Sequence, residues 1–594
     1  MNSLSRNTLL SCLLLLAACA NQEQGQVATP GNLPELVVGK AAEPVAIDAQ
    51  PALADKEVKS GRLKQKYELA AGTVSAPVRS EERVAAYGLS KSMVGDAYNV
   101  PASPAPASIY MQQAMPEREQ YGAIVENPIK QVAESPVSTF SIDVDTGAYA
   151  NVRRMLNAGR LPPADAVRVE EMINYFPYAY ALPKNNAPFA VHTEIAPAPW
   201  NKNHHLLRIG IKGQDVAKTN LPPSNLVFLV DVSGSMNSPE RLPLLKSALK
   251  LLISQLRAQD SVALVTYASG TQVVLEPTSG AHKARILAAL ENLRAGGSTA
   301  GAAGIALAYG MAEQGFIRGG INRILLATDG DFNVGITNFE ALKNMVEEKR
   351  KGGVSLSTLG FGVGNYNEKL MEQMADAGNG NYSYIDTLNE GQKVLVNEMT
   401  STLATIAKDV KIQVEFNPDV VSEYRLVGYE NRLLKREDFN NDKVDAGEVG
   451  AGHSVTAIYE LTLKGNAGSV DPLRYGKDKA GAVDKAGELA FLRLRYKEPD
   501  GDVSRLVEWP LHRRDVLSSF AQASTEFRFA AAVAAFGQQL RGGKHTGAMA
   551  YAEIAQIAAE ARGADGYGYR GEFLRLVNLA QSLSTQNPGR VIVD

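Results

Sequence analysis

Cysteine is nearly absent. The 594 residues hold two, Cys12 and Cys19, both close to the start. That excludes a disulfide scaffold and a multi-cysteine metal site. Histidine is sparse as well, at seven residues. No two of them stand in a His-x-x-x-His pair, so the helical zinc motif is missing. Neither sign of charge dominates: 61 Lys and Arg stand against 64 Asp and Glu, a formal net charge of −3. With no basic stripe and no base-stacking aromatic motif, nucleic acid is not an expected partner. Gly-x-Ser-x-Gly does not occur, which removes the nucleophile elbow. Gly296-Gly297 has no Lys-Ser/Thr pair after it, which removes the P-loop. No apolar run reaches the roughly 20 residues of a spanning helix.

The longest such run, Leu9 to Ala18, has ten mostly apolar residues after a short positive start at Arg6. It reads as the core of a signal peptide over residues 1–18. Leu16-Ala17-Ala18-Cys19 resembles a bacterial lipobox. The resemblance implies cleavage before Cys19 and a lipid on its sulfur. Cys12 leaves with the leader, so no disulfide forms within the mature chain. Ala20 follows, with no aspartate beside it, and this resemblance implies the outer membrane. The expected location is the bacterial cell envelope, with the body of the protein lipid-anchored.

What is present is a long chain with several cores. Residues 19–124 read as a disordered tether. Pro30, Pro34, Pro44, Pro51, Pro77, Pro101, Pro104, Pro106 and Pro116 stand among Ala, Gln, Glu and Ser, without a sustained apolar period. Residues 125–220 read as a small α+β region: a strand from Ser138, a helix over 146–158, a second over 167–175, and strands at 189–195 and 206–212. From 225 strands and helices alternate. Strands are expected at 225–231, 262–267, 272–275, 323–328 and 354–361. Helices are expected at 239–257, 282–293, 299–314, 339–351, 368–377 and 391–407. Apolar strands between amphipathic helices imply a doubly wound, mostly parallel sheet, an α/β fold. Residues 409–594 turn β-rich to 512, with strands at 411–416, 454–463, 489–496 and 503–509. They are helical from 513, and the β-rich part suggests a sandwich.

In an open parallel sheet, ligands gather at the carboxyl ends of strands. Leu226-Val-Phe-Leu-Val230 delivers Asp231, Ser233 and Ser235 to such an end, at alternate positions of an extended segment. Gly296-Gly-Ser-Thr299 opens a helix after a glycine turn. Asp329 follows Arg323-Ile-Leu-Leu-Ala-Thr328. A run of aspartate and hydroxyl oxygens suits a hard divalent cation.

These three segments, in this order and context, resemble the von Willebrand factor type A (VWA) domain with its metal-ion-dependent adhesion site (MIDAS). The resemblance implies a VWA domain over 221–408, Rossmann-like in layout. It implies a metal held by Asp231, Ser233, Ser235, Thr299 and Asp329. Magnesium is the expected ion, with manganese or calcium as substitutes. An open coordination position would then take a carboxylate from a protein ligand. Thr139-Phe-Ser-Ile-Asp-Val-Asp-Thr-Gly-Ala-Tyr149 and Gly566-Tyr-Gly-Tyr-Arg-Gly-Glu-Phe573 resemble the flanks of YfbK-like bacterial lipoproteins. This makes 125–220 a VWA-associated domain and 409–594 the family's C-terminal domain.

The expected function is an envelope-tethered binding module rather than an enzyme. The alternatives are a metal-dependent hydrolase using Asp329 or Asp331 as base, and a structural or assembly factor of the envelope. A phosphatase of the haloacid dehalogenase type would need a carboxylate where Ser233 stands. Asp143-Val-Asp145 has such paired aspartates, but Gly147 departs from that family's pattern. His204 and His205 read as exposed loop residues.

Overall fold

The computed structural model describes residues 119–586, apart from 143–144, 186, 300, 331–338, 365, 445, 471–486 and 500. The leader, Cys19, Asp331 and nearly all of the tether lie outside the described residues.

The first part of the described chain supplies β1 (Lys130–Gln131), β2 (Val137–Ser141), α1 (Gly147–Asn157), α2 (Val169–Asn174), β3 (Phe189–Ala198) and β4 (Asn201–Gly213). The middle supplies β5 (Ser224–Asp231), α3 (Leu242–Gln255), β6 (Ser261–Tyr267), β7 (Thr271–Ser279), α4 (Lys283–Glu291), α5 (Gly301–Gln314) and β8 (Ile321–Thr328). It continues with α6 (Phe339–Arg350), β9 (Ser355–Gly360), α7 (Glu368–Ala377), β10 (Tyr382–Tyr384), α8 (Leu388–Gln392) and α9 (Met399–Leu403). The last part supplies β11 (Thr405–Phe416), β12 (Val421–Val427), β13 (Gly447–Gly450), β14 (Ser454–Leu463), β15 (Glu488–Lys497), β16 (Ser504–His512), α10 (Thr525–Leu540), α11 (Tyr551–Glu560) and α12 (Tyr569–Gln586).

The middle part forms a six-stranded sheet in the order β10-β9-β8-β5-β6-β7. All its pairings are parallel except β6 with β7. Every residue of β5 is buried, as a strand covered on both faces must be. Leu226, Phe228 and Val230 pack with α3 residues such as Leu245 and Leu249. Val227 and Leu229 pack on the opposite face with Ile305, Ala308 and Tyr309 of α5. This is the expected α/β layout.

The two flanking regions are both present, and they are interleaved. One five-stranded sheet runs β1-β12-β14-β4-β3, mixing strands from both ends of the chain. The other runs β13-β11-β15-β16, with β2 also paired to β11. Phe140, Ile412, Tyr424, Tyr459 and Leu492 fill the space between them, as in a sandwich. Helices α10, α11 and α12 join α1 and α2 in a further layer over the first sheet.

Several expectations need correcting. The helix expected over 391–407 is broken into α8, a π turn at Lys393–Asn397 and α9, and the chain is already in strand at Thr405. Thr405 and Ile406 are β-branched and favour a strand, and β13 gives them a partner. Strands β12 and β13 were not foreseen. His204 is no loop residue: it sits in β4, buried, with Nδ1 2.6 Å from Glu460.

Glu460 is the hub of the first sheet. Its carboxylate also accepts from Trp200 Nε1 at 3.0 Å and from Arg425 Nη2 at 2.7 Å. Arg425 reaches on to Gln538 of α10 at 2.6 Å. Burial pushes the Glu460 carboxyl up, but the hydrogen bond from His204 and the charge of Arg425 outweigh it, leaving it at about 2. Arg153 of α1 does the same between modules. It meets Asp386, Glu390 at 2.8 Å and Glu572 of α12 at 3.1 Å.

Replacing Glu460 with Gln strands Arg425 in the interior. At neutral pH we expect a loss of about 3 kcal/mol, the usual cost of breaking a buried pair, read from urea denaturation. The folded-state value of Glu460 lies below its ordinary 4.5. Its contribution is therefore complete above that pH and disappears as pH falls toward 2. The gap between wild type and variant should close over the same interval.

Candidate functional site

Strands β5 and β8 lie side by side and parallel, with Val230 opposite Ala327. Their carboxyl ends therefore emerge together. Asp231 ends β5, and Asp329 comes immediately after β8. Both are buried, at 0% and 1% exposure, which is costly for carboxylates without compensation.

The compensation is specific. Asp231 Oδ1 accepts from the Ser233 backbone N–H at 2.8 Å. Its Oδ2 accepts from the Thr328 hydroxyl at 2.9 Å and from Tyr267 at 3.3 Å. Burial nevertheless pushes Asp231 up to about 6; the Ser233 and Thr328 hydrogen bonds pull against this, and the charge of Asp329 adds to it.

Ser233 and Ser235 are brought together, Oγ to Oγ at 3.0 Å. Neighbouring oxygens of a magnesium octahedron, each about 2.1 Å from the metal, stand about 3.0 Å apart. The Thr299 loop is tied to the same segment through its backbone. Gly296 N donates to Val232 O at 2.8 Å, and Gly234 N to Gly297 O at 2.9 Å. Thr299 is buried, and its hydroxyl makes no hydrogen bond to the other four candidates. Among the described residues no group of three or more His, Cys, Asp or Glu gathers to hold a metal. Two carboxylates and three hydroxyls make up the candidate set, all hard oxygen donors; of the five, the hydrogen bonds join Asp231, Ser233 and Ser235.

Three residues at the site went unread in the sequence. Thr328 and Tyr267 each end a strand beside β5 and serve Asp231. Arg241, the residue before α3, lies with Nη1 3.3 Å from Asp329 Oδ2. It also donates to Ser235 O, and through Nη2 to Val363 O at 2.6 Å. One guanidinium thus pins three loops. It fits because Gly362 leaves room: a Cβ there would come within 2.2 Å of Arg241 Nε. The aspartate at 145 is structural, accepting from Tyr382 N at 2.8 Å and pairing with Arg432 at 3.3 Å.

Three family models match the chain: von Willebrand factor over 115–208, von Willebrand factor type A domain over 225–398, and the C-terminal region of uncharacterized protein YfbK over 401–583. Uncharacterized protein YfbK of Escherichia coli (strain K12) is 53% identical over 479 residues, covering 79% of this chain and 82% of that one. The chain belongs to the YfbK family. Its middle part is a VWA domain. Such domains are commonly protein-interaction modules and often hold a divalent metal at a MIDAS. Inter-alpha-trypsin inhibitor heavy chain H4 of Homo sapiens is 33% identical over 150 residues, covering 24% of this YfbK-family chain and 16% of that one. Among solved structures, a von Willebrand factor type A protein from Catenulispora acidiphila aligns with 17% identity and a TM-score of 0.38, covering 67% of this chain and 92% of that one.

Thr328→Val removes a hydrogen bond to a buried carboxylate while keeping the side chain's shape. Stability in EDTA should fall by about 2 kcal/mol, the range for hydrogen bonds to charged groups. An unchanged urea midpoint would show that this bond is not made in solution.

Proposed function

We propose that this protein is a lipid-anchored binding module of the bacterial envelope. It grips a protein ligand through a divalent cation at Asp231, Ser233, Ser235, Thr299 and Asp329. The observation that carries the reading is the paired Ser233 and Ser235 hydroxyls, spaced like two ligands of one octahedron, on a loop between two buried carboxylates. Magnesium suits such a set because it favours oxygen donors and keeps several of its waters. A water position open to the surface is where an Asp or Glu of the partner would enter. Lipid on Cys19 would hold the module at the outer membrane, with residues 19–124 as the spacer. Among the described residues no helix is long and apolar enough to cross a membrane.

Magnesium titrated into the full-length protein should give saturable heat, lost in Asp231→Ala and in the Ser233→Ala/Ser235→Ala double variant. Envelope partners captured by wild type should be released by EDTA and not captured by Asp231→Ala. Equal capture in all of these conditions would end the metal-bridging idea. Anchoring has its own test: radiolabelled palmitate should enter wild type and not Cys19→Ser, and only wild type should sediment with outer membranes.

A further inference from the structure

A second feature lies at the other end of β8. The third residue of that strand, Arg323, is 5% exposed. It stands six residues before Asp329, about 20 Å along an extended strand, so it is remote from the candidate cation site. Its Nη1 donates to Ser357 Oγ at 2.8 Å and to Asn381 Oδ1 at 3.4 Å. Nothing accepts from its Nε. Among the described residues no carboxylate forms an ion pair with it. Burial pulls the guanidinium below its usual range, and the charge of Glu448, beyond ion-pair reach, offsets that only in part. An arginine held this way is anomalous, because buried charges are normally paired.

Arg323 lines a cavity of about 630 Å³ where the VWA domain, the two flanking sheets and the start of α12 meet. That volume lies in the range of small-molecule sites. Lys212 of β4 lines another part of the wall, and burial pulls its amine below the usual range as well. Of the acidic groups of the wall, Asp145 and Asp376 pair with Arg432 and Glu398 with Lys393; Glu448 accepts from Asn379 at 3.2 Å and from Thr405 at 3.0 Å, and the charge of Asp215 bears on Lys212. Tyr567, 65% exposed and stacked on Tyr569 at 5.4 Å, also borders the cavity.

We propose that this cavity binds a small oxyanion-bearing solute, with Arg323 as the anchor and Lys212 as a second cation. The guanidinium matches a carboxylate or phosphate group in geometry and charge. The site stands apart from the metal-bridged adhesion proposed above and does not require it.

The test uses the full-length protein in metal-free buffer at constant ionic strength. Inorganic phosphate and succinate are titrated separately by calorimetry, so that the two arms distinguish a phosphate from a carboxylate ligand. At least one should bind saturably to wild type, and to Asp231→Ala with the same affinity. Arg323→Gln should weaken that binding at least ten-fold. No saturable binding of either anion to wild type overturns the proposal, and so does full binding by a folded Arg323→Gln protein. If that variant does not fold, Lys212→Gln decides: a three-fold or greater loss supports the site, and unchanged affinity overturns it.

Discussion

The register between β5 and β8 is the constraint on which the site depends. Val230 opposite Ala327 places Asp231 level with Thr328, close enough for the hydroxyl to serve the carboxylate. Side chains along a strand alternate in direction, so a slip of one residue would turn every core position toward the wrong helical layer. Leu226, Phe228 and Val230 fill one core and Val227 and Leu229 the other. The two hydrophobic cores therefore hold the register, and the register sets the positions of two buried acids. Polar chemistry at the strand ends is fixed by apolar packing beneath it.

Charge is managed differently at the two ends of this sheet. At the carboxyl end two acids are buried together, with one arginine, Arg241, beside them at 3.3 Å. At Glu460 and at Arg153, by contrast, buried acids and bases are matched in networks. Those networks join strand to strand and module to module. At the other end of β8 the imbalance is reversed: Arg323 is buried, and among the described residues no carboxylate forms an ion pair with it.

Much of this was legible in the sequence, for a physical reason. A strand buried on both faces must be continuously apolar, and Leu226 to Val230 and Ile324 to Ala327 announce themselves. Asp231 and Asp329 stand where those strands stop. The strand β12 did not announce itself, because Glu423 and Arg425 interrupt its apolar residues and are buried all the same. His204 was misread for a related reason. Its partner Glu460 is 256 residues away, so nothing local signals that a polar stretch is interior. Arg241 was hidden in what reads as the start of a helix. Its role arises from Val363, which only the folded chain brings near.

The interleaving of the flanking strands has a consequence for how the chain assembles. Gln413 and Thr139, bonded across β11 and β2, are 274 residues apart. The entire VWA domain is spliced into that gap. Its own contacts are far more local, and local contacts form sooner. A chain emerging amino terminus first would complete this inserted domain while β1 to β4 still lacked β11, β12 and β14. Those early strands would wait with open edges, the condition in which chains mispair. The module that reaches its final form last is the one that contains the earliest of the described strands, β1 to β4. Maturation of the whole molecule is thereby tied to arrival of its carboxyl-terminal third.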